Sequence, residues 1–179
     1  MSESTDHGSG ENNEDQSPVV AALQAVNTEE AKSVLDSQHG LDPKAGIIIA
    51  KLDELPAIES PEVGVSPYEL YAARVMPSGH VNPHRHNIGT EPYHFLSGVG
   101  EMNIGHVEGE TVTWQEPQQT TAGTTFVVEA GAVHSLRNPD PNAPLDFLFA
   151  SPPEHLSDNS PENPSGDRYF VQSLPPQYP

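Results

Sequence analysis

Between Ile47 and Ala150, turn-forming residues recur so closely that only short strands fit between them. Pro77-Ser78-Gly79, Asn87-Ile88-Gly89, Glu108-Gly109 and Asn138-Pro139-Asp140 are the clearest breaks. Each joins a residue with special backbone freedom or restraint to polar side chains that hydrogen-bond locally. The intervening segments read as strands: Ile47–Lys51, Tyr68–Met76, Val81–His86, Glu91–Ser97, Gly100–Val107, Glu110–Gln115, Thr124–Val128, His134–Asn138 and Leu145–Ala150. Short strands at such intervals predict an all-β sandwich or barrel. Glycine (14) and proline (19) together argue against long helices, and 179 residues suit one domain. No repeat of fixed period is visible.

The two ends differ in texture. Residues 1–17 carry almost nothing apolar and form an acidic tail predicted to be disordered. Residues 18–45 read as a short helical segment, with Ser17 as N-cap and Pro18 in the first turn. Val19, Ala22, Leu23 and Val26 fall at helical spacing, and a second helix runs from Thr28 to about Ser37, ending near Gly40. These helices are expected on the outside of the barrel (46–150) or against a partner subunit. Residues 151–179 hold seven prolines and read as an extended tail. Within that tail, Arg168-Tyr169-Phe170-Val171 is expected to add a strand or dock on a neighbour.

Charge limits the partners. The formal net charge is −19, from 26 acidic and seven basic residues, and lysine occurs only at Lys32, Lys44 and Lys51. Such a chain is repelled by nucleic-acid phosphates and anionic lipid, so neither nucleic acid nor membrane is an expected partner. The acidity has two readings: a solvated surface with a disordered acidic tail, or halophilic adaptation, in which salt screens the self-repulsion. No apolar run approaches the roughly 18–20 residues that span a bilayer, and no signal peptide is read at the N-terminus. Cysteine is absent, which removes disulfides and thiolate ligands and fits a cytoplasmic protein.

The chemistry concentrates in Gly79-His80-Val81-Asn82-Pro83-His84-Arg85-His86-Asn87-Ile88-Gly89-Thr90-Glu91. His84 and His86 are two apart, so on a strand both imidazoles point to one face. Glu91 has the wrong parity for the same uninterrupted strand, but Asn-Ile-Gly-Thr supplies a turn that lets it open the returning strand opposite the histidines. Two imidazoles and a carboxylate converging in this way form half a metal site. Further on, Thr124–Val128, the turn Glu129-Ala130-Gly131-Ala132 and His134–Asn138 read as a second hairpin that delivers His134 as a third imidazole.

These two stretches resemble the paired signature motifs of the cupin superfamily. The first runs from Gly79 through His84, His86 and Glu91 to Gly98, the second from Gly123 through Gly131 and His134 to Asn138. The resemblance implies a double-stranded β-helix, or jelly-roll, with one divalent metal ion held by His84, His86, Glu91 and His134. Two departures are visible. The first glycine-to-histidine gap is one residue short, and Glu129 stands where the motif has proline; neither removes a ligand.

Three imidazoles and one carboxylate leave two positions open on an octahedral ion, which suits Fe(II), Mn(II), Ni(II) or Co(II), and Zn(II) at lower coordination. A small oxygenated substrate that chelates such an ion implies a metal-dependent enzyme of dioxygenase, decarboxylase or isomerase type. The alternative is a non-catalytic metal or small-molecule binding or sensor barrel. Tyr93 and Phe95 share the parity of Glu91 and are the substrate-binding candidates, with ordinary packing favoured for Phe95. Tyr93 and His80 are the candidates for acid–base work. His94 points to the opposite face, Arg85 and Arg137 alternate outward toward surface ion pairs, and Trp114 suits a rim or subunit contact. His106 and His155 stand without a constellation around them. The resemblance further implies a homodimer.

Overall fold

The computed structural model describes residues 17–37, 47–54, 58–60, 64–109, 111–176 and 178. The tail expected over residues 1–16 and the end of the second helix near Gly40 lie outside the described residues. Two helices, α1 (Pro18–Ala25) and α2 (Thr28–Ser37), precede the strands. These are β1 (Ile47–Glu54), β2 (Ile58–Ser60), β3 (Gly64–Ser66), β4 (Glu69–Val75), β5 (His84–Arg85), β6 (Glu91–Ser97), β7 (Val99–Glu108), β8 (Thr111–Trp114), β9 (Gln118–Thr121), β10 (Thr125–Val128), β11 (Val133–Arg137), β12 (Leu145–Ser151) and β13 (Tyr169–Phe170).

The strands form two main antiparallel sheets. One has the order β1-β4-β12-β6-β10, the other β13-β5-β11-β7-β8 with β9 also on β7; β2 and β3 make a separate hairpin. From β4 to β7, and again from β9 to β12, each connection takes the chain from one sheet to the other. This alternation closes a jelly-roll, the all-β double-stranded β-helix. Its interior is filled from both sheets by Val75, Phe95, Phe147, Met102 and Leu136, among others.

The first sheet is buried on both faces, and period-two alternation divides its side chains. Tyr71, Ala73 and Val75 of β4 and Phe147 and Phe149 of β12 point into the barrel. Leu70, Ala72, Leu148 and Ala150 point outward, under Val19, Leu23, Ala31 and Leu35 of the two helices. A strand covered on both sides needs no polar alternation, which accounts for the almost continuously apolar β12. Proline at the first helical position starts α1. Asn27 caps α2, its Oδ1 accepting the N–H of Glu29 at 3.0 Å and of Glu30 at 3.3 Å.

One charged group is sealed into this outer layer. Arg74 and Asp146 are cross-strand partners of β4 and β12. The guanidinium engages both carboxylate oxygens, at 2.6 and 2.9 Å, and reaches Asp36 of α2 at 2.7 Å. The Asp146 hydrogen bond is the main cause that raises the Arg74 pKa above its ordinary value, against the opposing effect of burial. Asp146 is 4% exposed and Asp36 is 66% exposed, so the two pairs differ in what their loss costs. Removing one partner of a buried pair costs roughly 3–5 kcal/mol, whereas an exposed pair contributes at most about 1 kcal/mol. Arg74→Ala is therefore expected to destabilise the fold by about 3 kcal/mol, and Asp36→Ala by under about 1 kcal/mol. Urea unfolding of the two variants beside the parent checks the ranking.

Candidate metal centre

The four expected ligands converge. His84 on β5 is the register partner of His134 on β11, which sets their rings 4.2 Å apart between centroids. His86 lies one residue beyond β5, its ring 4.9 Å from His84 and 5.5 Å from His134. Glu91 opens β6 in the facing sheet and brings Oε2 to 3.1 Å from His134 Nε2 and 3.6 Å from His86 Nε2. One ligand atom from each of the four residues lies within 4.8 Å of every other, and all four residues are buried.

Each imidazole is turned by its own backbone contact. The Nδ1–H groups donate to carbonyls: His84 to Asn82 at 2.7 Å, His86 to Asp167 at 3.0 Å and His134 to Ala132 at 3.4 Å. A carbonyl only accepts, so the proton belongs on Nδ1 and the Nε2 lone pair is left inward. His86 Nε2, His134 Nε2 and Glu91 Oε2 are buried without a hydrogen-bond partner. Such orphaned acceptors are costly in a closed interior, and converging acceptors fit a bound cation. Burial first, and then neighbouring His134, hold the His84 pKa well below the ordinary histidine value; burial brings His86 down to about 3. Burial alone would raise Glu91, but the imidazoles, His134 foremost, outweigh it and keep the carboxyl below its usual range. His84 and His86 kept neutral beside an anionic Glu91 fit the protonation state that a divalent cation needs. The described group is therefore competent to hold one metal ion.

The turn between His86 and Glu91 is anchored along its length. Gly131 N–H donates to the His86 carbonyl at 2.6 Å, joining the two ligand hairpins. The Tyr68 hydroxyl takes the Thr90 N–H and donates to the Thr90 carbonyl, both at 3.2 Å. The Asp167 carboxylate accepts from Asn87 N at 3.0 Å and Ile88 N at 2.9 Å. Gly89 crosses this turn at φ +66°, where an added Cβ would lie 2.9 Å from the Tyr68 hydroxyl.

A cavity of about 80 Å³ opens beside the cluster, with apolar walls from Ile47, Ile49, Val81, Phe147, Phe149 and Leu156. Tyr93 lines it beside Glu91; burial, reinforced by that carboxylate, raises its hydroxyl pKa well above the ordinary value. Tyr93 is thus a donor at neutral pH. Phe95 is fully buried in the barrel core and does not line the cavity. His80 is exposed in its loop, its ring 5.2 Å from Tyr178, and is also absent from the lining. His94 faces away, with Nδ1 3.0 Å from Thr125 Oγ1. Arg137 pairs with Glu101 at 3.0 Å, and Arg85 lies over the Tyr169 ring. Trp114 Nε1 is 3.4 Å from Ser173 Oγ, within the same chain.

His155 requires a correction. Read from sequence as isolated, it is 1% exposed and stacks on His86, with centroids 3.8 Å apart and planes 4° from parallel. Its Nε2–H donates to the Ile88 carbonyl at 2.5 Å. Asp167 was not singled out at all, yet it engages both His86 and the turn beyond it. No local pattern marks either residue, since these contacts span 67 to 81 positions. The C-terminal segment, expected as an extended tail, begins with a short 3-10 helix (Pro153–Leu156) and a closed loop laid against the site; β13 pairs with β5, and Arg168 is among the cavity-lining residues.

No protein-family model and no curated protein match the chain. Among solved structures, it is similar to an oxalate oxidase (21% identity, 64% of this chain and 55% of that one, TM-score 0.48). It is also similar to the oxalate decarboxylase of Lactobacillus farciminis (20% identity, 46% and 23%, TM-score 0.39). A third similarity is to a Klebsiella pneumoniae protein with a double-stranded β-helix domain (16% identity, 83% and 96%, TM-score 0.49). The chain spans about half the length of the oxalate oxidase chains it resembles. The fold assignment rests on the sheet order and register described above.

The anchored turn yields a stability test. Gly89 and Gly109 share φ +66°, but nothing lies within 4 Å of a Cβ built at Gly109. Left-handed backbone costs a residue with a Cβ about 1–2 kcal/mol. Gly109→Ala is expected to lose that much, and Gly89→Ala measurably more because Tyr68 must move. Equal losses in denaturant titrations would show that the Tyr68 contact contributes nothing.

Proposed function

From a cupin-type barrel with a buried three-histidine, one-glutamate cluster, we propose that this chain is a metal-dependent enzyme acting on a small oxygenated metabolite. The observation that carries the reading is the inward set of unpartnered acceptors, His86 Nε2, His134 Nε2 and Glu91 Oε2, each ring locked from behind by a carbonyl. A divalent ion at these residues supplies Lewis acidity toward an oxygen of the substrate. The protein's own groups do the rest. His84, His86, Glu91 and His134 would hold the ion, and Tyr93 stands in the cavity wall beside Glu91 with its hydroxyl protonated. The cavity wall is mainly apolar, and a low-dielectric wall strengthens each polar contact made against it. Arg168, ion-paired with Asp158, lies at the border of the cavity. Dioxygenation, decarboxylation and isomerisation are the reaction classes that the family resemblance implies.

One observation favours the second reading, a non-catalytic binding or sensor barrel. Apart from His84, His86 and Glu91, the polar residues lining the cavity are Tyr93, His155 and Arg168, and of these His155 is engaged with Ile88 and Arg168 with Asp158. A catalytic site needs an acid or base within reach of the substrate. Turnover separates the two readings: a binding barrel takes up a small ligand saturably and returns it unchanged.

Elemental analysis of protein purified without added metal tests the centre. The parent is expected to carry about one equivalent of iron, manganese, nickel, cobalt or zinc, and a His84→Ala/His134→Ala double variant to lose it. A parent that stays metal-free after reconstitution would remove the enzyme reading.

A further inference from the structure

Resting on that metal-site reading, we propose that Asp167 and His155 of the C-terminal segment are positioning residues that set metal affinity by holding His86 and the turn behind it. Both residues are almost wholly buried, and both act on the first ligand hairpin from far along the chain. Asp167 uses two groups. Its carbonyl receives His86 Nδ1–H at 3.0 Å, and its carboxylate receives the Asn87 and Ile88 N–H groups. His155 lies flat against the His86 ring and fixes the ring plane, while its Nε2–H closes on the Ile88 carbonyl. The two side chains approach each other, His155 Nε2 to Asp167 Oδ2 being 3.7 Å.

The segment is itself tied down on both sides of these residues. Asp167 N donates to Glu154 O at 3.0 Å and Arg168 N to Ser157 O at 3.0 Å, which closes the loop that carries both positioning residues. Beyond Asp167, Tyr169 and Phe170 pair with Arg85 and His84, and Val171 N donates to Pro83 O at 3.0 Å. His84 and His134 are already paired as neighbours in the six-stranded sheet, and Glu91 sits at the start of a regular strand. His86 lies outside β5, and its ring is oriented by the C-terminal segment. This is the ligand whose geometry depends most on residues outside the barrel motifs.

Outer groups of this kind typically tune metal affinity by about 10–100-fold. The test is cobalt(II) titration of the metal-free full-length protein, read by the visible cobalt absorption, with the thermal midpoint of each metal-free variant measured in parallel. Asp167→Ala is expected to weaken cobalt binding about 10–100-fold and to change the absorption envelope. Asp167→Asn, which keeps one acceptor for the turn, is expected to recover part of the loss. His155→Phe keeps the ring against His86 and loses the Ile88 hydrogen bond, whereas His155→Gln keeps a donor and loses the stack. At least one of the two is expected to weaken binding while the metal-free midpoint stays near the parent's. If Asp167→Ala does not fold, Asp167→Asn and the His155 pair decide the matter. Parent-like affinity and spectrum in the folded variants would overturn the inference and leave the metal site standing. A parent with no cobalt absorption at all would remove the metal reading and this inference with it.

Discussion

The rest of the site follows from one electrostatic constraint, a carboxylate placed inside an apolar barrel. Glu91 is 4% exposed and faces three imidazoles across the two sheets. An ionised carboxylate taken out of water costs several kcal/mol unless it is compensated. Among the described residues the compensation is partial: the imidazoles stand near, but Oε2 has no hydrogen bond. A fold meant only for stability would place an apolar residue here. Retaining the charge, with buried imidazoles turned toward it, makes a group that could hold a cation.

Holding that arrangement falls to the scaffold. The five-stranded sheet carries Glu91 and Tyr93 and is stiffened by cores on both of its faces. Its outer layer of helices is fastened by Arg74, which bridges α2 and Asp146. The six-stranded sheet carries His84 and His134 as register partners. Their separation depends on ladder geometry, and ladders deform little. The turn that joins the sheets is irregular, and here the protein spends hydrogen bonds freely, from Gly131, Tyr68, Asp167 and His155.

How legible this was in sequence depended on distance along the chain. His84, His86 and Glu91 could be read because strand parity and a turn signal act over a few residues, and β6 runs over Glu91–Ser97 as its pattern implies. Both helices were visible from Pro18 and from apolar spacing, although Asn27 caps α2. Val81–His86 read as one strand, but only His84–Arg85 is regular. Pro83 has no N–H to give a ladder, and its carbonyl is taken by Val171. β9, Gln118–Thr121, escaped notice because Gln-Gln-Thr-Thr has no apolar alternation; Thr120 alone turns inward. The β2–β3 hairpin was equally unmarked. Asp167 and His155 were invisible for a different reason: no periodic rule connects residues 67 or 81 positions apart.

On the proposed reading, the placement of the candidate ligands would also tie metal affinity to folding. Two of the four lie on one sheet, one begins the facing sheet, and His86 is held by the C-terminal segment. An ion shared by them would join three parts of the molecule that are otherwise linked by packing and backbone hydrogen bonds. The unfolded chain has no such preformed set, so binding energy adds to folding energy, by about 2.7 kcal/mol when free metal is a hundred times the dissociation constant. The coupling runs both ways. On the proposed reading, whatever loosens the C-terminal segment would free the His86 ring and lower affinity, and loss of the ion would return Glu91 to an uncompensated burial that the barrel must then carry alone.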